Sequence, residues 1–333
     1  MNGSKVLNYL KNGGIYVVLL ILLAIIIIKE PSFLSLNNFS NILTQSAVRV
    51  IIALGVAGLI VTQGTDLSAG RQVGLGAIVA ATMLQSMTNV NKVFPSIGEI
   101  PIPVVILLVC AIGAIIGLIN GVIIAKLNVT PFITTLGTMI IVYGVNSLYY
   151  DLAGASPIAG FDPRFSSFTQ GYFKFGHFKL SYLVIYAAIA TGLIWVLWNK
   201  TKFGKNIFAI GGNPEAAKVS GVNVTVNLIL IYMLSGVFYA FGGMLEAGRI
   251  GSATNNLGFM YELDAIAACV VGGVSFSGGV GTVLGVITGV LIFTVINYGM
   301  TYIGVNPYWQ FIIKGVIIIM AVALDSLKYA KKK

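Results

Sequence analysis

The feature that most limits what this chain can fold into is the length of its apolar runs. Residues 104–125 contain no charged side chain. A helix needs about 20 such residues to cross the hydrocarbon core of a bilayer. Inside lipid every backbone N–H and C=O must be paired within the protein, so only helices or a closed barrel can span it. A barrel would show alternating segments of about ten residues, and this chain shows continuous runs instead. Charged residues make up 9% of the chain and hydrophobic ones 57%, against about 25% charged in soluble domains. The fold class is therefore all-α: a polytopic membrane protein forming one domain over residues 1–333.

About ten transmembrane helices can be drawn, at residues 14–28, 48–62, 72–87, 104–125, 131–150, 180–198, 228–246, 260–274, 282–298 and 308–323. The first has lysines ahead of it but no small-residue cleavage site behind it, so it reads as a retained span. The 33–46 stretch reads as a polar approach, partly helical at the interface. Broken segments interrupt the pattern at QGTDLSAGR (63–71) and in the glycine-rich 247–259 connection. Gly113, Gly117 and Gly121 recur at four-residue spacing, which lets helix backbones approach closely. A weak internal repeat is visible: Gly117-Leu-Ile-Asn-Gly121 resembles Gly285-Val-Ile-Thr-Gly289, and a proline-opened span follows each (Pro131, Pro307).

Ten spans put both termini on one side, and charge chooses the side. With the N-terminus inside, the inner segments hold twelve Lys and Arg (Lys5, Lys11, Arg71, Lys126, four in 199–227, four in the tail) against Asp66, Glu215 and Asp325. The outer segments, with Arg49, Arg249, Glu246, Glu262 and Asp264 counted there, are balanced. Cytoplasmic loops collect Lys and Arg. The termini and residues 199–227 are thus expected in the cytoplasm, and the 151–179 loop in the periplasm. The net charge of +10 is explained the same way, without nucleic acid as a partner.

Several chemistries are excluded. Gly204-Lys205 lacks the upstream glycine of a phosphate-binding loop, so the chain has no ATPase site of its own. The single His177 supports no nucleophilic triad, and no metal-ligand spacing occurs; no catalytic residue, cofactor or metal is assigned. Cys110 and Cys269 both fall in apolar runs and read as small buried hydrophobes. What remains is polarity at membrane depth. Gln63, Asp66, Asn146, Glu262 and Asp264 are candidates for a translocation path, because charged groups there face a protein interior or a water-filled cavity. Their structural alternatives are helix caps for Asp66 (or Ser68), Glu262 and Asp264, and interhelical bonds for Asn120, Tyr143, Asn146 and Asn297. Lys314 reads as snorkelling to the outer boundary.

The 199–227 stretch holds a marked short helix. Asn213 is an N-cap, Pro214 suits the first helical position, Glu215 favours the dipole, and Gly221 can close the end. Two turns are too few to stand alone in water. Either a partner supports this helix, or it lies solvated at a membrane surface with its lysines near anionic lipid.

Four blocks then narrow the choice: TQGTDLSAGRQVGLGA (62–77), NVTPFITTLGTM (128–139), GKNIFAIGGNPEAAKVSGVNV (204–224) and ELDAIAACVVGGVSFSGGVGTVLG (262–285). In this order and spacing the chain resembles the membrane permeases of bacterial ABC importers for monosaccharides, the ribose/galactose/xylose group. Its wording is most similar to the branch carrying galactose, methyl-galactoside or glucose. The resemblance implies an inner-membrane permease that forms a homodimer in the lipid bilayer. It implies an ATP-binding subunit with two nucleotide-binding modules, where ATP and magnesium would bind, and a periplasmic sugar-binding protein. It also implies that Asn213, Pro214, Glu215, Ala216, Ala217, Lys218, Ser220 and Gly221 form a coupling helix seated on that ATPase. Two other readings stay open. One is an ion-coupled secondary transporter using Asp66, Glu262 or Asp264; the other is the same fold importing ribose, an autoinducer or a nucleoside.

Overall fold

The computed structural model describes residues 19–330, with side chains up to Asp325. Its elements in order are α1 (Leu19–Lys29), α2 (Leu36–Val61), α3 (Ala69–Met83), α4 (Ile102–Leu127), α5 (Pro131–Leu152), β1 (Ile158–Ala159), α6 (Pro163–Gln170), β2 (Tyr172–Phe175), β3 (Phe178–Ser181), α7 (Tyr182–Lys200), α8 (Lys202–Gly212), α9 (Pro214–Val219), α10 (Val224–Ile250), β4 (Ser252–Ala253), α11 (Tyr261–Val271), α12 (Val283–Tyr302) and α13 (Pro307–Ala330). Among the described residues, seven helices are long and apolar enough to cross a membrane: α2, α4, α5, α7, α10, α12 and α13. The chain is an all-α, multi-pass membrane protein. The strands are short pairings, β1 with β4 and β2 with β3, both antiparallel.

Two expected spans are helices shorter than a bilayer crossing, and a third lies partly outside the described residues. Of the first, residues 14–18 lie outside the described residues. The third and eighth become α3 and α11, of 15 and 11 residues. Each follows an irregular segment whose non-glycine residues include a positive φ, Gln63 at 62° and Met260 at 62°. The polar approach at 33–46 is not separate. From Leu36 onward it is the start of α2, capped by Ser35, which runs unbroken for 26 residues, because its polar groups find partners. Ser40 donates to the Lys179 carbonyl and Asn38 accepts from Tyr298. The 151–179 loop carries α6 and the β2–β3 hairpin. Asp162 caps α6 by accepting from the Arg164 N–H at 2.8 Å.

The core forms around α2 and α10. Helix α10 packs most extensively on α4, then on α3 and α2. Lipid tails are as apolar as leucine, so helices associate through close packing rather than hydrophobic exclusion. The α4–α10 crossing shows how the sequence permits this. A Cβ on Gly113 would meet the Gly236 carbonyl, and one on Gly236 would meet the Gly113 carbonyl. Gly117 lies in the same way against the Tyr232 carbonyl. Gly285 and Gly289 do the equivalent job on α12 against the Gly272 and Ala268 carbonyls. The two repeat motifs therefore share a packing role, in different helix pairs. Leu107, Ile140, Ile141, Leu193 and Ile319 project outward from the rim helices.

One end of the bundle gathers the C-terminus of α2, α8–α9, the α11–α12 turn and Asp325 of α13, which accepts from Ser275 Oγ and Phe276 N at 3.0 Å each. The other end carries α6, the β2–β3 hairpin and the 85–93 turn, where Gln85 accepts from Val93 N and donates to the Ala159 carbonyl.

Candidate functional site

Helix α2 stops at Val61, and the chain turns on Gln63 into an irregular, largely buried segment. Three helices hold this segment. Thr135 of α5 accepts from Leu67 N at 3.1 Å, Tyr232 of α10 donates to the Thr65 carbonyl at 3.4 Å, and Asn120 of α4 donates to Ser68 Oγ at 3.3 Å. Asp66 is 1% exposed. Its Oδ1 accepts from both the N–H and the hydroxyl of Ser68. Gln72 donates to Ser68 Oγ at 2.9 Å, and Thr138 donates to Asn120 Oδ1 at 2.6 Å. A polar chain thus runs from the break into α5.

The second irregular segment follows α10. Gly251 closes that helix at φ 86°, and the chain returns against the first turns of α3. Gly258, at φ 85°, closes on the Gly70 carbonyl. A Cβ on Gly70 would meet the Glu262 carboxylate and also the backbone carbonyl of Gly258, which cannot swing away, so only glycine fits there. Asn146 of α5 donates to the Asn255 carbonyl at 3.3 Å. Arg71 lies between two rings, its guanidinium carbon 4.3 Å from the Tyr143 centroid and 5.3 Å from that of Phe259. Those rings are 43% and 44% exposed. In this part of the bundle Asp66 Oδ2, Arg71 Nη1 and Asn146 Oδ1 are buried with no hydrogen-bond partner among the described residues; Gln72 Oε1, also buried and unpaired, lies instead at the α4–α10 crossing, against Gly236. Such groups are costly unless they are paired in some state of the protein.

Of the five residues proposed for the path, Asp66, Asn146 and Glu262 fall on or beside this meeting of broken segments. Gln63 does not: its amide donates to the Gly211 and Ser277 carbonyls, at the α8–α9 end. Asp264 belongs to a different group. It accepts from Arg49 of α2 and Lys314 of α13, each at 3.0 Å. Arg49 lies over the Tyr261 ring, whose hydroxyl donates to Glu246 at 2.6 Å, and Glu246 pairs bidentately with Arg249. Arg49, Glu246, Arg249 and Asp264 are thus not outer-loop charges. They lie on or at the ends of helices and neutralise one another across α2, α10, α11 and α13. Lys314 joins them and does not snorkel. Neither the Arg71 sandwich nor this network is visible in the sequence, because the contacts that define them, Arg71 with Tyr143 and Phe259 and Asp264 with Arg49 and Lys314, join separate segments brought together only by the fold.

Helix α9 has the expected caps. Asn213 Oδ1 accepts from Ala216 N at 3.0 Å, and Gly221 takes φ 84° while Val222 N donates to the Ala217 carbonyl at 3.0 Å. The helix leans on α8, whose buried face carries Gly204, Ile207, Ile210 and Gly211 and which the sequence pattern alone does not distinguish from a loop. Ala217 is buried, which leaves Glu215, Ala216, Lys218 and Val219 outward, the last 89% exposed.

Comparison with known proteins agrees with this architecture. The family described as "Branched-chain amino acid transport system / permease component" matches residues 38–322, and the chain belongs to it. The chain is 80% identical to the galactose/methyl galactoside import permease protein MglC of Escherichia coli, over 100% of this chain and 99% of the relative. It is 77% identical to the protein of the same name from Haemophilus influenzae, over 99% and 98%. It is 40% identical to the ribose import permease protein RbsC of Bacillus subtilis, over 95% and 93%. No solved structure matches the chain significantly.

Proposed function

We propose that this chain is the membrane permease subunit of an ATP-driven importer of galactose and methyl galactosides, working in a bacterial inner membrane. The observation that carries the reading is the 80% identity to a galactose/methyl galactoside import permease across the whole chain. The geometry supports it in two places. The half-exposed Tyr143 and Phe259 rings flank Arg71 where two irregular segments meet, and aromatic faces of this kind suit the apolar face of a sugar ring. At one end stands α9, capped at both ends and exposed outward. In this reading two copies enclose the path. A separate ATPase subunit binds ATP and magnesium and seats on α9 in the cytoplasm, and a periplasmic sugar-binding protein delivers the substrate to the α6 and β2–β3 end.

The test is reconstitution in liposomes. The chain with an ATPase subunit and a loaded galactose-binding protein is expected to accumulate galactose only with ATP. Uptake by the chain alone, driven by a proton or sodium gradient and indifferent to ATP, would replace this reading with an ion-coupled one.

A further inference from the structure

We infer that Gln63 is the positioning residue that carries movement of α9 into both irregular segments, an inference that rests on the importer reading above. Three stretches of backbone meet at this side chain. Its amide nitrogen donates to the Gly211 carbonyl at 2.8 Å and to the Ser277 carbonyl at 3.0 Å. Beside it, Gly279 N donates to the Val61 carbonyl at 2.8 Å. The three backbones touch. A Cβ on Gly211 would meet the Val61 carbonyl and Gly279 N, and one on Gly278 would meet Gln63 and the Gly211 carbonyl. At such density a displacement is passed on rather than absorbed.

What each stretch leads to gives the contact its meaning. Gly211 and Gly212 end α8, and Asn213 caps α9 directly after them. Ser277 lies in the turn leaving α11, whose first residues include Glu262. That turn is also fixed to α13 through Asp325. Gln63 itself stands three residues before Asp66. Its left-handed φ of 62° is uncommon for a side chain of this size, and such conformations persist only when surrounding structure enforces them. The Gln63 amide supplies two donors in one place, one for each carbonyl. A carboxylate of the same shape supplies none and would face two carbonyl oxygens. A lysine supplies three donors and has the reach for both.

The test compares Gln63→Glu with Gln63→Lys in the full complex of permease, ATPase subunit and binding protein, reconstituted in liposomes. Three quantities are measured: assembly by co-purification, basal ATP hydrolysis, and galactose taken up per ATP. Gln63→Glu is expected to assemble and to keep basal hydrolysis, while uptake per ATP falls about tenfold, the scale of losing well-made hydrogen bonds. Gln63→Lys is expected to stay within about threefold of wild type, since its ammonium restores the donors. The inference is overturned if Gln63→Glu keeps the wild-type ratio. It is overturned if Gln63→Lys loses as much. It is also overturned if Gln63→Glu fails to assemble, which would make Gln63 a folding residue only. A wild-type complex with no ATP-dependent galactose uptake would instead overturn the importer reading, so the two failures are distinguishable.

Discussion

Asp264 shows how much one side chain can hold in a membrane protein. It is 9% exposed and accepts from Arg49 and Lys314, which come from helices far apart in the chain. Replacing it with alanine leaves two cations without their counter-charge, and breaking a buried pair in this way costs about 3–5 kcal/mol. Asp264→Ala should therefore lower thermal stability in detergent markedly. Replacing Arg49, Asp264 and Lys314 together with apolar residues of similar volume should recover much of that loss, because no charge is then stranded. An equal loss in the triple variant would assign the cost to packing instead. A second carboxylate gives a pH prediction. Arg164 bonds to Asp162 and holds its carboxyl below the ordinary carboxylate range. A depressed folded value means that its contribution is present above the unfolded value of about 3.9 and is lost as the pH falls through the folded one. The protection factors of the α6 amides, observed exchange divided into the intrinsic rate at the same pH, are expected to fall in acid below that range. Asp162→Asn should exchange faster already at neutral pH and respond less to acid.

At the scale of elements, the ends of α9 were legible and its neighbour was not. Asn213, Pro214 and Gly221 are local signals, and caps depend on local backbone geometry, so six residues of helix could be placed from sequence. The lysines and glycines of α8 resemble a loop in sequence; only its buried face, which needs a partner to be meaningful, marks it as a helix. The long helices were legible because a bilayer demands length. The third span lies as α3 three to four residues earlier than hydropathy places it, and the eighth is shortened to the 11 residues of α11, because hydropathy does not register where an apolar run leaves the helix for a glycine turn. Asn146 and Glu262 could be nominated by polarity at depth, but Arg71 with Tyr143 and Phe259 required the tertiary fold. The α9 caps yield a prediction of their own. Asn213→Ala removes one bond to the first turn, worth about 0.5–2 kcal/mol, and Gly221→Val puts a β-branched residue at φ 84°, which is strongly disfavoured. Neither position touches the broken segments. Both variants should insert and keep the fold, yet take up less sugar per ATP hydrolysed. Unchanged uptake in both would remove α9 from the coupling route.

The whole molecule has two unlike ends, and its orientation decides how it works. The α9 end is where Gln63, Gly211, Ser277 and Asp325 lock together; the opposite end carries α6, the β2–β3 hairpin and the Arg164 ion pairs with Glu99 and Asp162. Lysine-rich segments favour the α9 end as cytoplasmic. That balance survives the relocation of Arg49, Glu246, Arg249, Glu262 and Asp264 into the bundle, because the excess rests on Lys200, Lys202, Lys205 and Lys218, which remain in or beside α8 and α9. If this is the orientation, an ATPase can reach Val219 and a periplasmic protein can reach the hairpin, and not the reverse. Single cysteines at these two places settle the matter. With Cys110 and Cys269 replaced by alanine, Val219→Cys should react with a membrane-impermeant maleimide only in inside-out vesicles. Phe175→Cys, at an exposed position on the hairpin, should react only from the outside of intact spheroplasts. The opposite pattern would place α9 in the periplasm, where no ATPase could use it, and would end the importer mechanism as well as the orientation.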